Sequence, residues 1–242
     1  MNYEKMLVLK NRISHIDAGN FLDVAVGRGD FLKFAIESFH SSRSIAGIDN
    51  DPQQLMQARE VLSDKQVILV LASALEMPFT TGYFDTVTMS NALHHVDNLP
   101  KLFRETARIC RKKGLVIVNE MLNENNTALD ETYMLYHRLV SDIDNHQGHY
   151  HRDIYSLKEL FSLVNIPEFQ LTEYFIHSEE TGEKMDMHEI NEISDRLRRK
   201  VAQLKGSDYY YFYENKAREV INIFLKNGIH KPKHATLFIQ VQ

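Results

Sequence analysis

The sequence predicts a doubly wound α/β fold: a mostly parallel, seven-stranded sheet with helical insertions. Three observations carry this. Short apolar runs recur at 21–26, 44–49, 66–71, 83–90 and 113–121, too far apart for hairpins. Segments with helical spacing fill the gaps, so the strands must be joined by crossovers. The runs are nearly continuous in apolar character, as strands covered on both faces are.

Each element has its own warrant. Residues 3–17 carry Met6, Leu7, Leu9, Ile13 and Ile16, the stripe of a short amphipathic helix within an N-terminal segment 1–18. FLDVAV (21–26) reads as the first strand and DFLKFAIESF (30–39) as a helix; SIAGID (44–49) is the second strand. Asp51-Pro52 then opens a helix that runs to about Ser63, because Asp caps well and Pro suits the first helical position. QVILVL, YFDTVTMS and KGLVIVNEM supply three more strands, with a helix from Leu99 to Cys110 before the last.

The second half is less regular. Residues 127–143 read as a helix with Leu135, Leu139, Val140 and Ile143 on one side, followed by the polar loop DNHQGHYHRD (144–153). Ser156 and Glu159 form a capping box, and Asp186 to Glu189 repeats that pattern. EFQLTEYFI (168–176) is a sixth strand and ATLFIQV (235–241) a seventh. Between them Ile190, Ile193, Leu197, Val201 and Leu204 have helical spacing, and a further helix spans 207–226. The whole reads as one domain, 1–242, with 122–155 and 183–230 as insertions that form a cap.

Bulk properties narrow the function. A net charge of −5 among 242 residues disfavours nonspecific binding to nucleic acid. The groups at Arg111–Lys113 and Arg196–Lys200 are short enough to be solvated helix ends or faces. The one cysteine, Cys110, leaves no disulfide framework and fits a reducing, cytoplasmic compartment. No window has the apolar length of a membrane span, so no membrane partner is expected.

Ligands of such sheets sit at the carboxyl ends of the strands. The stretch DVAVGRGD (23–30) lies at such an end. Counted from Gly27 it is an incomplete dinucleotide loop, since Leu32 replaces the third glycine. Counted from Ala25 it reads A-x-G-x-G behind Asp23, with alanine tolerable if its backbone φ stays negative. Asp49 ends the second strand, where a carboxylate can accept two ribose hydroxyls, of NAD as well as of other nucleosides.

Further stretches complete a pattern: ALEMPF (74–79), YFDTVTMSNALHHVDN (83–98) and LFRETARICRKKGLVIVNE (102–120), extended by SLKELFSLVNIPEFQLTEYF (156–175). Together they resemble the class I S-adenosylmethionine-dependent methyltransferases of small-molecule type, which have a Rossmann-like methyltransferase fold. The resemblance implies S-adenosylmethionine as cofactor and a small-molecule acceptor. By position it implies that Asp23, Ala25, Gly27 and Gly29 line the methionine end, that Asp49 binds the ribose and that Asn50 flanks the adenine. It places Ser73, Ala74 and Leu75 at the adenine edge, and Ser90, Asn91 and Leu93 near the methionine amine and sulfonium. Ser73 stands where many relatives have an acid, and its hydroxyl would accept from the adenine amino group. An NAD(P)-dependent oxidoreductase and a non-catalytic binding module are the competing readings.

Methyl transfer needs positioning more than a fixed catalytic group. His94 and His95 are candidate acceptor-side residues, with turn histidines bonded to backbone as the plainer reading. His149 and Tyr150 are candidates in the polar loop, where His149 and His151 would point the same way if extended. His146, His149 and His151 match no familiar zinc spacing, so no metal is expected there. The run Tyr209–Tyr213 would serve as a core edge, a pocket wall or a homodimer contact through the C-terminal helices. Arg12 would clamp a carboxylate if its helix folded over the site.

Overall fold

A computed structural model describes residues 6–124, 127–178, 187–230 and 232–242. The first part of the chain alternates strand and helix. Helix α1 (Leu7–Ile13) precedes β1 (Asn20–Val24), α2 (Asp30–Ser38), β2 (Ser44–Asp49), α3 (Pro52–Val61) and β3 (Ile68–Leu71). Strand β4 (Phe84–Ser90), helix α4 (Leu99–Ile109) and strand β5 (Cys110–Met121) follow. Then come α5 (Ala128–His146), α6 (Leu157–Val164), β6 (Phe169–His177), α7 (Met187–Ala202), α8 (Tyr210–Asn227) and β7 (His234–Val241).

The seven strands form one sheet in the order β3-β2-β1-β4-β5-β7-β6. Strands β1 to β5 are parallel, while β7 runs antiparallel between β5 and β6. Alternation along β1 shows how both faces are filled. Phe21 joins Leu9, Ile13, Phe34 and Leu55 on one side, whereas Leu22 and Val24 join Leu102, Phe103 and Leu160 on the other. Each such side chain withdrawn from water contributes about 1.5–3 kcal/mol.

The expected start signals do their work. Asp51 accepts from Gln53 N at 2.7 Å with Pro52 at the first helical position. Ser156 and Glu159 cap α6 reciprocally. Thr127 and Asp130 make a second capping box at the start of α5, whose other end takes in Asp144, Asn145 and His146, the first residues of the expected loop. The pattern proposed at Asp186 falls outside the described residues, as do residues 3–5 of the N-terminal helix.

Three placements differ from expectation. Leu135 is exposed; α5 instead buries Leu139 and Ile143, with Tyr133, Tyr136 and Val140 beside them. Arg111 and Lys112 lie exposed at the start of β5, since that strand begins at Cys110. Arg12 bonds Glu173 and lies 5.4 Å from the Phe175 ring centroid, tying α1 to β6 rather than reaching a ligand site.

Helices α5, α7 and α8 share a core of their own, including Ile143, Ile193, Leu197, Val220 and Phe224. Of the aromatic run, Tyr213 is buried in this core, while Tyr209, Tyr211 and Phe212 are exposed. Cys110 is buried and unpaired, as packing requires.

Candidate active site at the carboxyl ends of the strands

The loop after β1 turns through three left-handed residues: Ala25 (φ 56°), Gly27 (φ 52°) and Gly29 (φ 83°). Ala25 therefore does not keep the negative φ expected of an alanine there. Val26 N donates to Ile48 O at 2.8 Å and Gly29 N to Val26 O at 2.9 Å, and these bonds hold the turn whatever residue occupies it. A left-handed alanine costs about 1–2 kcal/mol.

The two glycines serve different ends. A Cβ on Gly29 would meet Leu62 Cδ1 at 3.0 Å and Ala58 Cβ at 3.3 Å, so this glycine lets α3 pack against the loop. A Cβ on Gly27 would find only Gln54 Oε1, at 3.9 Å, so that side of the loop is open.

Asp49 supports the loop directly. Its Oδ2 accepts from Gly27 N at 2.8 Å and its Oδ1 from Asp51 N at 2.9 Å. Each carboxylate oxygen offers two lone pairs, so each retains acceptor capacity. Asp23 departs from its expected place. It is buried beneath the loop, its Oδ1 accepts from the Thr88 hydroxyl, and burial pushes its carboxyl up to about 7 against that bond.

The remaining predicted cofactor residues sort by burial. Asn50 and Ser73 are exposed, and Ala74 and Leu75 are half-buried. The Ser73 hydroxyl accepts from Leu75 N at 3.1 Å and keeps a second lone pair. Sequence reasoning overlooked what holds this loop. Glu105 accepts from Met77 N at 2.6 Å, and Arg108 donates to the carbonyls of Met77 and Phe79 at 2.9 and 2.8 Å. The E-x-x-R spacing on α4 was the available signal.

After β4, Ser90 accepts from Asn119 Nδ2 at 3.0 Å, and Asn91 takes φ 49°. Its Oδ1 accepts from Met121 N at 3.2 Å, bracing the turn on β5. Leu93 is corrected: it is fully buried in the core, and its carbonyl accepts from the Tyr155 hydroxyl.

The histidines divide sharply. His94 is buried, with Nδ1 3.0 Å from Glu120 Oε2. The other Glu120 oxygen accepts from Ala92 N and Leu93 N, both at 2.7 Å. Burial lowers the His94 imidazole to about 3 and raises the Glu120 carboxyl to about 7, the latter against its backbone bonds. His95 is exposed, its ring 4.2 Å from that of His151. His149 and Tyr150 are exposed while His151 is buried, so the two loop histidines do not point the same way. His151 Nδ1 lies 2.7 Å from Asp144 Oδ2, and its Nε2 3.2 Å from Nε2 of His137 on α5. His137, Glu120 and Asp144 were not singled out from the sequence: His137 and Glu120 sit within a helix and a strand pattern, and Asp144 opens the polar loop.

A cavity of about 650 Å³ lies under α7, lined among others by Arg28 of the loop, Met121, Tyr133, Tyr136, Ile193 and His234. It thus touches the glycine loop, the carboxyl end of β5 and two cap helices. No helix among the described residues is long and apolar enough to cross a membrane.

A glycine turn after the first strand, an anchored acid after the second and this strand order together make a Rossmann-like methyltransferase fold. Residues 22–118, about two fifths of the chain, match the family described as methyltransferase domain. A relative from Citrifermentans bemidjiense, the ubiquinone/menaquinone biosynthesis C-methyltransferase UbiE, is 28% identical over 123 residues, covering 49% of this chain and 52% of that one. The chain thus spans about half the length of the curated relatives it matches. Phosphoethanolamine N-methyltransferase 2 of Haemonchus contortus, solved with S-adenosylhomocysteine, has a TM-score of 0.55 at 16% identity, covering 99% of this chain and 52% of that one. The [4+2]-cyclase SpnF has a TM-score of 0.63 at 17% identity, covering 98% and 80%.

Proposed function

We propose that this protein transfers a methyl group from S-adenosylmethionine to a small-molecule acceptor, releasing S-adenosylhomocysteine. The observation that carries this is the pairing of an open Gly27 with the anchored Asp49 carboxylate beside it. Both suit a nucleoside cofactor that has no phosphates. A dinucleotide would call on a third glycine, and Leu32 is buried in that position.

S-adenosylmethionine, when bound, supplies a methyl carbon already activated for in-line displacement. The chain's part is to bind, orient and exclude water. Asp49 would hold the ribose hydroxyls, with Gly27 giving the backbone close approach and Asn50 and Leu75 flanking the base. Ser90 and Asn91 would face the methionine end. His94, kept neutral by burial, would orient rather than carry charge, leaving His95, His149 and Tyr150 as the exposed acceptor-side candidates.

The cavity lining is mixed: Met121, Tyr133, Tyr136 and Ile193 share it with charged side chains such as Arg28 and Arg196, which supports an acceptor with an aromatic body that also carries polar groups. The quinone-biosynthesis name of the UbiE relative favours the same class. The cyclase neighbour favours a second reading, a cofactor-binding protein with another chemistry, because one fold hosts many reactions.

Calorimetry with S-adenosylhomocysteine tests the cofactor assignment, with Asp49→Ala expected to weaken binding at least tenfold. Absence of binding by the wild type defeats the proposal. Binding without methylated product across a panel of hydroxylated aromatic acceptors supports the second reading. The lone, buried Cys110 supports a cytoplasmic setting. The exposed Tyr211 and Phe212 support self-association through the cap, which light scattering reads as dimer or monomer.

A further inference from the structure

Three buried histidines from three separate elements converge beside the proposed active site. His94 follows β4, His137 lies on α5 and His151 follows α5; their available ring nitrogens all lie within 4.8 Å of one another. Two of the rings have a carboxylate bonded at Nδ1, and the third has one farther off, out of hydrogen-bond reach. Glu120 stands 3.0 Å from His94, Asp144 2.7 Å from His151, and Asp153 3.8 Å from His137. A carboxylate in that place holds the proton on Nδ1 and turns the lone pair of Nε2 the other way.

That arrangement leaves a conflict inside the protein. The Nε2 atoms of His137 and His151 face each other at 3.2 Å. Asp144 holds the proton of His151 on Nδ1, so its Nε2 turns a lone pair toward His137, whose buried Nδ1 has no hydrogen-bond partner. A proton on His137 Nε2 would make that hydrogen bond but leave its Nδ1 as a buried, unpartnered acceptor. A cation between the rings would instead take the lone pairs that they turn toward one another. Nitrogens bound to one tetrahedral ion at about 2.0–2.1 Å lie about 3.3 Å apart, close to the separation found here.

The surroundings are built to hold this geometry. His151 is fixed through its backbone: Ser141 Oγ donates to its carbonyl at 2.6 Å, and its N–H donates to Asn145 Oδ1 at 3.0 Å. Arg152 N donates to His94 O at 2.9 Å, which joins the loop to the β4 turn. Lys200, from α7, pairs with the second oxygen of Asp144. Three imidazoles without a thiolate suit borderline divalent ions rather than calcium or magnesium.

We propose that His94, His137 and His151 bind one divalent transition-metal ion of the zinc class through their Nε2 atoms, with Glu120 and Asp144 orienting the rings of His94 and His151. Three protein ligands leave a fourth position for water or for a lone pair of a bound molecule, the arrangement of zinc sites that do chemistry. This site is independent of whether methyl transfer occurs.

The test uses the full chain, freed of metal by a chelator and exchanged into clean buffer. Zinc chloride titrated by calorimetry should show one ion per chain, bound at micromolar concentration or tighter. Cobalt(II) should give the intense visible bands of a four- or five-coordinate nitrogen site. His137→Gln and His151→Gln should each weaken binding at least tenfold, while exposed His40→Gln leaves it unchanged. Asp144→Asn should weaken it by about tenfold, as removal of an orienting partner does. A wild type that binds neither ion at micromolar concentration overturns the site. So does the weak spectrum of a six-coordinate surface ion, or binding that survives both histidine variants. Should those variants fail to fold, the wild-type stoichiometry and cobalt spectrum decide. S-adenosylhomocysteine binding, measured on the same samples, separates failure of the metal site from failure of the methyltransferase reading.

Discussion

Gly27 and Gly29 belong to one loop, yet alanine at the two positions should fail in different ways. Both have positive φ, so each substitution carries the left-handed cost of about 1–2 kcal/mol. At Gly29 the new Cβ also meets Leu62 Cγ at 3.2 Å and Ala58 Cβ at 3.3 Å, besides Leu62 Cδ1. Overpacking of this kind adds about 1–3 kcal/mol. Unfolding entropy of about 2.1 cal/mol/K per residue over 242 residues gives about 0.5 kcal/mol per degree. Gly29→Ala should therefore lower Tm by about 4–10 °C. Gly27→Ala should lower it by only about 2–4 °C, since its Cβ enters open space. That space is where the cofactor is proposed to pass, so Gly27→Ala should weaken S-adenosylhomocysteine binding more than tenfold. Circular dichroism melting and calorimetry on the same preparations read both quantities. Equal melting losses, or cofactor affinity spared by Gly27→Ala, would refute the division of labour between these glycines.

Other expectations follow from the same geometry. Ala25→Gly should relieve the left-handed strain and raise stability by up to about 1 kcal/mol, measured by urea unfolding. Asp23, pushed up to about 7 in the fold from an ordinary 3.8, keeps a proton between those pH values that the unfolded chain has lost. Its contribution is thus fully present below pH 3.8 and is lost as pH rises through about 7. A shift of that size amounts to about 4 kcal/mol. Asp23→Asn, which retains an acceptor for Thr88, should remove that slope and gain most at pH 8; parallel profiles of wild type and variant would exclude the effect. Arg108→Ala should free the Met77 and Phe79 carbonyls and speed amide exchange across 76–79 without changing exchange in β1.

What the sequence made legible was local. Asp51-Pro52 and the Ser156–Glu159 box announce helix starts because their chemistry lies within four residues. The glycine loop could be placed because a strand-to-helix turn has few solutions. Ala25 was misjudged on conformation, since its φ is imposed by bonds to β2 that no local rule contains. The histidine cluster was illegible for the same reason. His94 is distant in the chain from His137 and His151, and only the docking of α5 and its following loop on the β4 turn brings them together. His149 looked equivalent to His151 because an extended loop was assumed, whereas α5 runs on to His146 and turns the two side chains apart. Leu93 looked like a site residue by position, yet its side chain is consumed by the core and only its backbone reaches the turn.

The place of β7 bears on how the molecule comes to be folded. Strands β6 and β7 are antiparallel neighbours, but residues 178–233 separate them where a hairpin would use a few. Bringing such distant ends together costs about 2 kcal/mol more loop-closure entropy than a short turn. Pairing of β7 with β5 and β6 should therefore come late, after the parallel half with its βαβ units has collapsed, an order that pulse-labelling amide exchange would read. Helices α5, α7 and α8, with an apolar cluster of their own, shorten the effective loop once they pack. The cap in this reading acts as an assembly aid: its condensation delivers the last strand into the gap. Mutations in the cluster around Leu197 and Phe224 should consequently slow refolding as well as weaken the cap.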